Sequence, residues 1–255
     1  RFINVDLQWV KKEDLVKKED YQSPPVLRST YAELSSLVGR MTVSKNFLYL
    51  FPVYASYCTA SIIGKNLLLT NNHCVSTQEQ CAHTSFRFWN AAEKNLLGAT
   101  KMRNFSCNRI LATDAKFDYT LVETKSDPSQ YYGQATLVLN ELNYPKQTPL
   151  LLISNNPGNK KRMRDCVIED TREYVNIINS TNGSKLNCAE EAPIHGDSGS
   201  PLYNYHGDLV GLLFGSVFNL ITGEPIGEAY YNPIHRFISQ YKDQLDAYDV
   251  HWVYR

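Results

Sequence analysis

The sequence contains a glycine-flanked serine that could act as a nucleophile, in the run Gly196 to Pro201, which reads GDSGSP. Glycines beside a serine permit a tight turn, because glycine adopts backbone angles that other residues avoid. Such a turn can aim the backbone N–H groups of Gly196 and Ser198 into one small space. There they would hold the oxyanion of a tetrahedral intermediate. The alternative is a turn without chemistry. The motif predicts acyl transfer through Ser198.

A histidine that could serve as the general base follows the first predicted hairpin. Its strands are Cys58 to Ile63 and Leu67 to Thr70, joined by a Gly-Lys-Asn turn, and the chain then reaches His73 and Cys74. Folding the hairpin brings Cys58 beside Cys74, within range of a disulfide bond. That bond would fix the loop that carries His73, and a general base must be held within hydrogen-bond reach of its proton. The alternative is a histidine that merely follows a strand.

A carboxylate that could orient this histidine is Asp118, which lies between Phe117 and Tyr119 at the start of a predicted strand. Aromatic neighbours predict that the carboxylate is partly buried, and a buried carboxylate needs a hydrogen-bonding partner. An imidazole N–H would serve, and the aspartate would then fix the histidine tautomer. The alternative is an aspartate that only begins a strand.

The elements that must position these groups are predicted to be mainly strands. From residue 47 onward, short apolar or β-branched runs alternate with Gly, Asn, Asp and Pro, a pattern typical of a β-sandwich or β-barrel. A helix is predicted near the C-terminus, starting at Pro233. Its apolar face recurs with helical spacing at Ile234, Phe237, Ile238 and Tyr241.

Length and composition limit the classes of protein to which the chain can belong. A chain of 255 residues can form one large domain or two lobes that share a cleft. Its 26 basic and 26 acidic residues balance, so no nucleic-acid partner is expected. The longest mostly apolar run, Leu209 to Ile221, is interrupted by Gly and Asn and is too short to span a bilayer, so no membrane partner is expected. No signal-peptide pattern begins the chain, so we expect that any targeting segment was removed or left out.

The six cysteines indicate an oxidising compartment. An even count in a chain of this size predicts three disulfides and a secreted protein, extracellular or periplasmic, whereas buried free thiols are the alternative. No C-x-x-C or H-E-x-x-H spacing occurs, so neither a metal site nor a cofactor is expected.

The order His73, Asp118, Ser198 resembles that of the chymotrypsin-like serine peptidases. The segment around His73 is similar to the family's Thr-Ala-x-His-Cys element, and Asp118-Tyr-Thr-Leu is similar to Asp-Ile-Ala-Leu. The Ser198 run resembles Gly-Asp-Ser-Gly-Gly-Pro, with Ser200 in place of the second glycine, as in the family's bacterial branch. The separations from Cys58 to Cys74, 16 residues, and from His73 to Asp118, 45 residues, also match. The resemblance covers roughly residues 36–246.

The resemblance implies an all-β fold of two antiparallel six-stranded β-barrels with a C-terminal α-helix. It also implies that Ser198 attacks the scissile carbonyl, that His73 takes and returns the proton, and that Asp118 orients His73. The predicted organisation is an N-terminal arm or pro-segment, a first barrel, a linker, a second barrel, and a helix with a tail. Their respective ranges are 1–28, 29–138, 139–148, 149–232 and 233–255.

The family's specificity pocket maps onto several positions here. Ala192, six residues before Ser198, would lie at the pocket base, so the aspartate of trypsin-like members is missing. Glu228 aligns with a second base position and could select Lys or Arg, or it could be a surface residue after a hairpin. His195 at the rim could instead favour an acidic side chain. The strand that resembles the family's substrate-pairing strand supplies the remaining pocket residues, Phe214, Gly215 and Ser216.

Two features depart from animal members of the family. The usual cysteine just before the nucleophile loop is absent, so proximity in sequence suggests the bridges Cys81–Cys107 and Cys166–Cys188. In animal members the equivalent of Asp197 pairs with a new N-terminal ammonium, but no Ile-Val-Gly-Gly-type start is present here. Either residues 1–28 are the pro-segment of a zymogen, or Asp197 pairs internally.

The resemblance predicts a serine endopeptidase that acts on a protein or peptide substrate. We expect a monomer, with a protein inhibitor as a further candidate partner. A rival reading is an inactive family member that serves as a binding module. An esterase of the α/β-hydrolase class is disfavoured, because that class places the serine before the acid and the histidine.

Overall fold

The computed structural model describes residues 31–47, 51–95, 97–139, 144–155, 161–175, 182–188, 193–218 and 225–254. The predicted N-terminal arm, residues 1–28, lies outside these ranges. Within them, no helix is both long and apolar enough to cross a membrane.

The first six strands close into a barrel in the order β1-β2-β3-β6-β5-β4. The residues of β4 alternate in burial. Thr84, Phe86 and Phe88 are buried, while Ser85 and Arg87 between them are more exposed, so one face of the strand lines the barrel core. The predicted hairpin is present as β2 and β3. The strands are β1 (Val38–Phe47), β2 (Phe51–Gly64), β3 (Leu67–Thr70), β4 (Thr84–Lys94), β5 (Thr100–Asp114) and β6 (Tyr119–Thr124).

Eight further strands of the described residues form a second sheet in the order β11-β8-β9-β10-β13-β12-β7-β14. A further pairing between β11 and β12 closes six of them into a ring, and β7 and β14 attach beside it in parallel. These strands are β7 (Thr136–Val138), β8 (Pro149–Asn155), β9 (Lys161–Val175), β10 (Asn182–Cys188), β11 (Pro201–Tyr203), β12 (Leu209–Phe218), β13 (Pro225–Pro233) and β14 (His251–Val253). The prediction of two six-stranded barrels is confirmed.

The lobe limits themselves stay a prediction. The predicted division assigns β7 to the first barrel, yet β7 pairs with strands of the second sheet. The residues just before β7 still contact the first barrel. The N–H of Ala135 donates to the Ile62 carbonyl at 2.9 Å. Two residues later, Leu137 pairs with Leu209 of the second sheet.

In the described part of the chain four helices flank the barrels, and the predicted C-terminal helix is one of them. Ile234, Phe237 and Ile238 are fully buried, and Tyr241 packs partly buried against the same core, as the helical spacing predicts. Each fully buried apolar side chain of this size contributes about 1.5–3 kcal/mol. The helices are α1 (Tyr31–Ser36), α2 (Gln78–Ala82), α3 (Ser129–Tyr132) and α4 (His235–Leu245), and a 3₁₀ turn follows at Asp246–Tyr248.

The two barrels share one apolar cluster, so their relative placement is fixed by packing. Leu67 and Leu69 of β3 belong to the same buried cluster as Leu151 of β8 and Phe237 of α4. Lys161 at the start of β9 reaches across as well. Its Nζ donates to the Trp89 carbonyl at 2.8 Å, and burial lowers the pKa of this amine to about 7.

Three disulfides are present at the predicted pairs. Cys58–Cys74 joins β2 to the segment after β3, Cys81–Cys107 joins α2 to β5, and Cys166–Cys188 joins the paired strands β9 and β10.

Candidate active site

Ser198 lies in a tight turn that leads into β11. Gly196 and Gly199 have φ angles of 98° and 81°, a region that favours glycine. A Cβ on Gly199 would lie 2.2 Å from the carbonyl oxygen of Thr59 and 2.7 Å from Oγ1 of Thr70, so no larger residue fits there. The turn is closed by the N–H of Ser200, which donates to the Asp197 carbonyl at 3.0 Å. Both glycines of the motif are therefore required by the backbone.

The turn is held from the first barrel by Thr59 of β2. The N–H of Thr59 donates to the Ser198 carbonyl at 2.8 Å, and its hydroxyl donates to the Gly196 carbonyl at 3.2 Å. In the part of the chain that the structure describes, the N–H groups of Gly196 and Ser198 donate no hydrogen bond.

His73 and Asp118 are in direct contact. One carboxylate oxygen of Asp118 lies 2.6 Å from Nδ1 of His73, and the other accepts the backbone N–H of His73 at 2.8 Å. Since an ionised carboxylate only accepts, this contact places the proton of a neutral imidazole on Nδ1 and leaves Nε2 as a base. Asp118 is 3% exposed, while the His73 side chain is 36% exposed.

The backbone of Asp118 adopts φ +55°, which is uncommon for residues other than glycine. This left-handed conformation costs on the order of 1 kcal/mol and must be stabilised by the surroundings. The carbonyl of Asp118 accepts from the N–H of Asn72 at 3.1 Å and from the side-chain amide of Asn71 at 2.9 Å. The loop that carries His73 therefore also holds the aspartate.

The disulfide Cys58–Cys74 brings the histidine loop to the serine turn. Cys58 precedes Thr59, which bonds to Ser198, and Cys74 follows His73. A ring nitrogen of His73 and the two sulfur atoms all lie within 4.8 Å of one another, but the sulfurs are bonded together and offer no thiolate to a metal. Among the described contacts there is no hydrogen bond between the Ser198 hydroxyl and the His73 ring. Such bonds are often long in free enzymes and tighten with substrate.

Asp197 is paired inside the second barrel. Its carboxylate lies 2.9 Å from the guanidinium of Arg164 on β9, and the two side chains are 0% and 1% exposed. The same oxygen accepts the N–H of Ile194 at 2.9 Å, and Arg164 also donates to the Ser154 hydroxyl at 2.7 Å. The internal pairing of Asp197 is thus the one observed.

Sequence reasoning missed Arg164, although a signal was present. Strand residues alternate between faces, and Arg164 shares its face of β9 with the buried residues Cys166 and Ile168. An arginine on the same face of a strand as inward-facing residues is predicted to be buried. A buried cation needs a buried anion.

The predicted pocket residues are only partly described. His195 is exposed and Phe214 is buried. Among the described residues, no atom lies within 4 Å of a Cβ placed on Gly215, so Gly215 borders open space in this part of the chain. On β12, Ser216 pairs with Ala229 of β13. Ala192 and the side chain of Glu228 lie outside the described part of the chain.

Comparison with protein families gives a match over residues 58–212 to the trypsin-like peptidase domain. A curated relative, the secreted RxLR effector protein 73 of Plasmopara viticola, is 32% identical over 105 residues, which cover 36% of this chain and 26% of that protein. The chain therefore matches about a quarter of the relative's length.

Solved structures give a likeness in fold. The MamO protease domain of Magnetospirillum magneticum superposes with a TM-score of 0.56 at 16% identity, covering 82% of this chain and 98% of that one. The HtrA-type protease AlgW with tripeptide superposes with a TM-score of 0.60 at 16% identity, covering 87% of this chain and 64% of that one.

Proposed function

Because the chain belongs to the trypsin-like peptidase family, we propose that it is a serine endopeptidase with Ser198 as its nucleophile. The observation that carries the proposal is the double contact between Asp118 and His73, at 2.6 and 2.8 Å. An aspartate that only began a strand would not need both oxygens on one histidine.

In the proposed reaction, Nε2 of His73 takes the proton from Ser198 as the hydroxyl oxygen attacks the scissile carbonyl. Asp118 stabilises the imidazolium that forms, and the N–H groups of Gly196 and Ser198 bind the oxyanion. His73 then gives its proton to the leaving amine, and an acyl-enzyme remains. Water activated by His73 hydrolyses that ester and restores Ser198.

We further propose that Arg164 keeps the serine turn in its working shape. It would supply the positive charge that a new N-terminal ammonium supplies in animal members of the family. The ion pair with Asp197 is sealed from solvent and needs no cleavage of the chain to form. This favours a turn that is already ordered over a zymogen with residues 1–28 as the pro-segment.

The substrate is proposed to be a protein or peptide whose backbone lies along β12 near Gly215, where the surface is open. The preference for the substrate side chain at the cleavage site would be set by Glu228, which would favour Lys or Arg, or by His195, which would favour an acidic residue. Three disulfides support action outside the reducing cytosol. We propose a monomer that a protein inhibitor could regulate.

The rival is an inactive binding module, and the Ser198→Ala variant distinguishes the two. We expect this variant to fold normally and to lose on the order of 10⁶ in kcat on a mixed peptide library. The matched control is Ser200→Ala, in the same motif, because the Ser200 hydroxyl is buried and has no hydrogen-bond partner among the described residues. It should keep its activity. Undiminished hydrolysis by Ser198→Ala would refute the proposal.

A further inference from the structure

We propose that Asn232 is a positioning residue for Asp118, holding from the second barrel both residues that flank it. This inference rests on the proposed function, in which Asp118 orients His73. Asn232 lies on β13, is completely buried, and belongs to the barrel that carries Ser198.

The contacts of Asn232 fall on either side of Asp118. Its side-chain amide donates to the Phe117 carbonyl at 2.6 Å. Its backbone carbonyl accepts a hydrogen bond from the hydroxyl of Tyr119. Burial raises the pKa of the Tyr119 phenol well above its ordinary value, so this hydroxyl stays protonated and remains a donor. One residue of the second barrel thereby fixes the peptide before Asp118 and the side chain after it.

Asp118 needs such a frame because its backbone is left-handed. The histidine loop holds its carbonyl, through Asn71 and Asn72, and its carboxylate, through His73. The first barrel also holds the N–H of Phe117, which donates to Asp114. Rotation of the peptide that joins Phe117 to Asp118 would still turn the carboxylate away from His73. The bonds from Asn232 oppose this rotation. The ring of Tyr119 is also stacked on Phe237 of α4, with centroids 5.0 Å apart. The C-terminal helix therefore also holds the residue that follows Asp118.

The same residue connects the carboxylate to the nucleophile turn. Asn232 pairs with Leu212 across β13 and β12, and the next residue, Leu213, accepts the N–H of Gly199 at 2.9 Å. A short hydrogen-bonded path thus runs from the Asp118 region to the residue after Ser198. Because a misplacement of about 1 Å can cost on the order of 10² in rate, this path would set the alignment of histidine and serine.

The test compares Asn232→Ala with Asn204→Ala, a buried asparagine of the second barrel that bonds within the β11–β12 turn. Both variants should lose stability. Only Asn232→Ala should lose about 10²-fold in kcat while KM changes by less than about twofold. If Asn232→Ala does not fold, Tyr119→Phe removes only the hydroxyl and should lower kcat by about tenfold. Unchanged kcat in a folded Asn232→Ala, or in Tyr119→Phe, overturns the proposal.

A second readout does not depend on catalysis. In a Ser198→Ala background, the His73 Nδ1 proton bonded to Asp118 should give a low-field NMR resonance, assigned by its loss in His73→Gln. We expect Asn232→Ala to broaden or remove this resonance and Asn204→Ala to keep it. A resonance that persists in Asn232→Ala overturns the positioning role. An inactive wild-type protein would refute the proposed function instead, and the resonance would still decide the role of Asn232.

Discussion

The regions around Asp118 and Asp197 each bury a carboxylate, but the partners differ. Asp118 contacts His73, whose side chain is 36% exposed, whereas Asp197 contacts Arg164, whose side chain is 1% exposed. An imidazole can gain and lose a proton near neutral pH, while a guanidinium keeps its charge. In the proposed function, the first region exchanges a proton with a bound substrate, and the second maintains the shape of the serine turn. A buried aspartate can therefore serve in proton transfer or in holding a turn, and its partner decides which.

Of the two carboxylates, the first is expected to have the larger effect on rate. Asp118→Asn keeps the size of the side chain but favours the wrong histidine tautomer, so kcat should fall by about 10⁴ with little change in the free energy of unfolding. Steady-state hydrolysis and urea denaturation of the same preparation measure the two quantities. If kcat fell by less than tenfold, Asp118 would not be the residue that orients His73.

The largest effect on stability is expected at the second pair. Arg164→Met leaves the Asp197 carboxylate buried without its cation, which should lower the free energy of unfolding by about 3–5 kcal/mol and disorder the serine turn. Guanidinium denaturation and kcat are the measurements. Wild-type stability in Arg164→Met would show that the ion pair does not hold this turn.

A double variant separates the effect of this ion pair on the shape of the serine turn from its effect on the free energy of unfolding. Arg164→Met with Asp197→Leu replaces the pair by apolar side chains, which is often neutral or stabilising. We expect most of the lost stability to return. Activity should stay low, because the Ile194 N–H no longer has its acceptor. Recovery of full kcat would mean that Asp197 has no part in shaping the turn.

The smallest effect is expected at Thr59, which joins the first barrel to the serine turn. Thr59→Val removes the hydroxyl that donates to the Gly196 carbonyl and accepts from the Asn155 N–H, so it should cost about 0.5–1.5 kcal/mol. We expect less than a tenfold loss in kcat. Thr59→Ser keeps the hydroxyl and is the control. Equal losses in the two variants would assign the effect to packing instead.

The predictable parts of this molecule were those determined by neighbours in sequence. The hairpin before His73, the bridge Cys58–Cys74 and the apolar face of α4 follow from local periodicity and turn residues. The links from Arg164 to Asp197 and from Asn232 to Phe117 do not. Asn232 and Phe117 lie 115 positions apart, and only the packing of one barrel on the other brings them together. The sequence could indicate a buried arginine, but not its partner.

The central claim is that Ser198 is a nucleophile activated by His73 and Asp118. Labelling with a fluorophosphonate, followed by peptide mapping with mass spectrometry, tests it most directly, since the reagent needs an activated serine. We predict one adduct, on the peptide that contains Ser198, which disappears in Ser198→Ala and forms far more slowly in Asp118→Asn. A hydrolytically active preparation that carried no adduct, or carried it on another serine, would contradict the account.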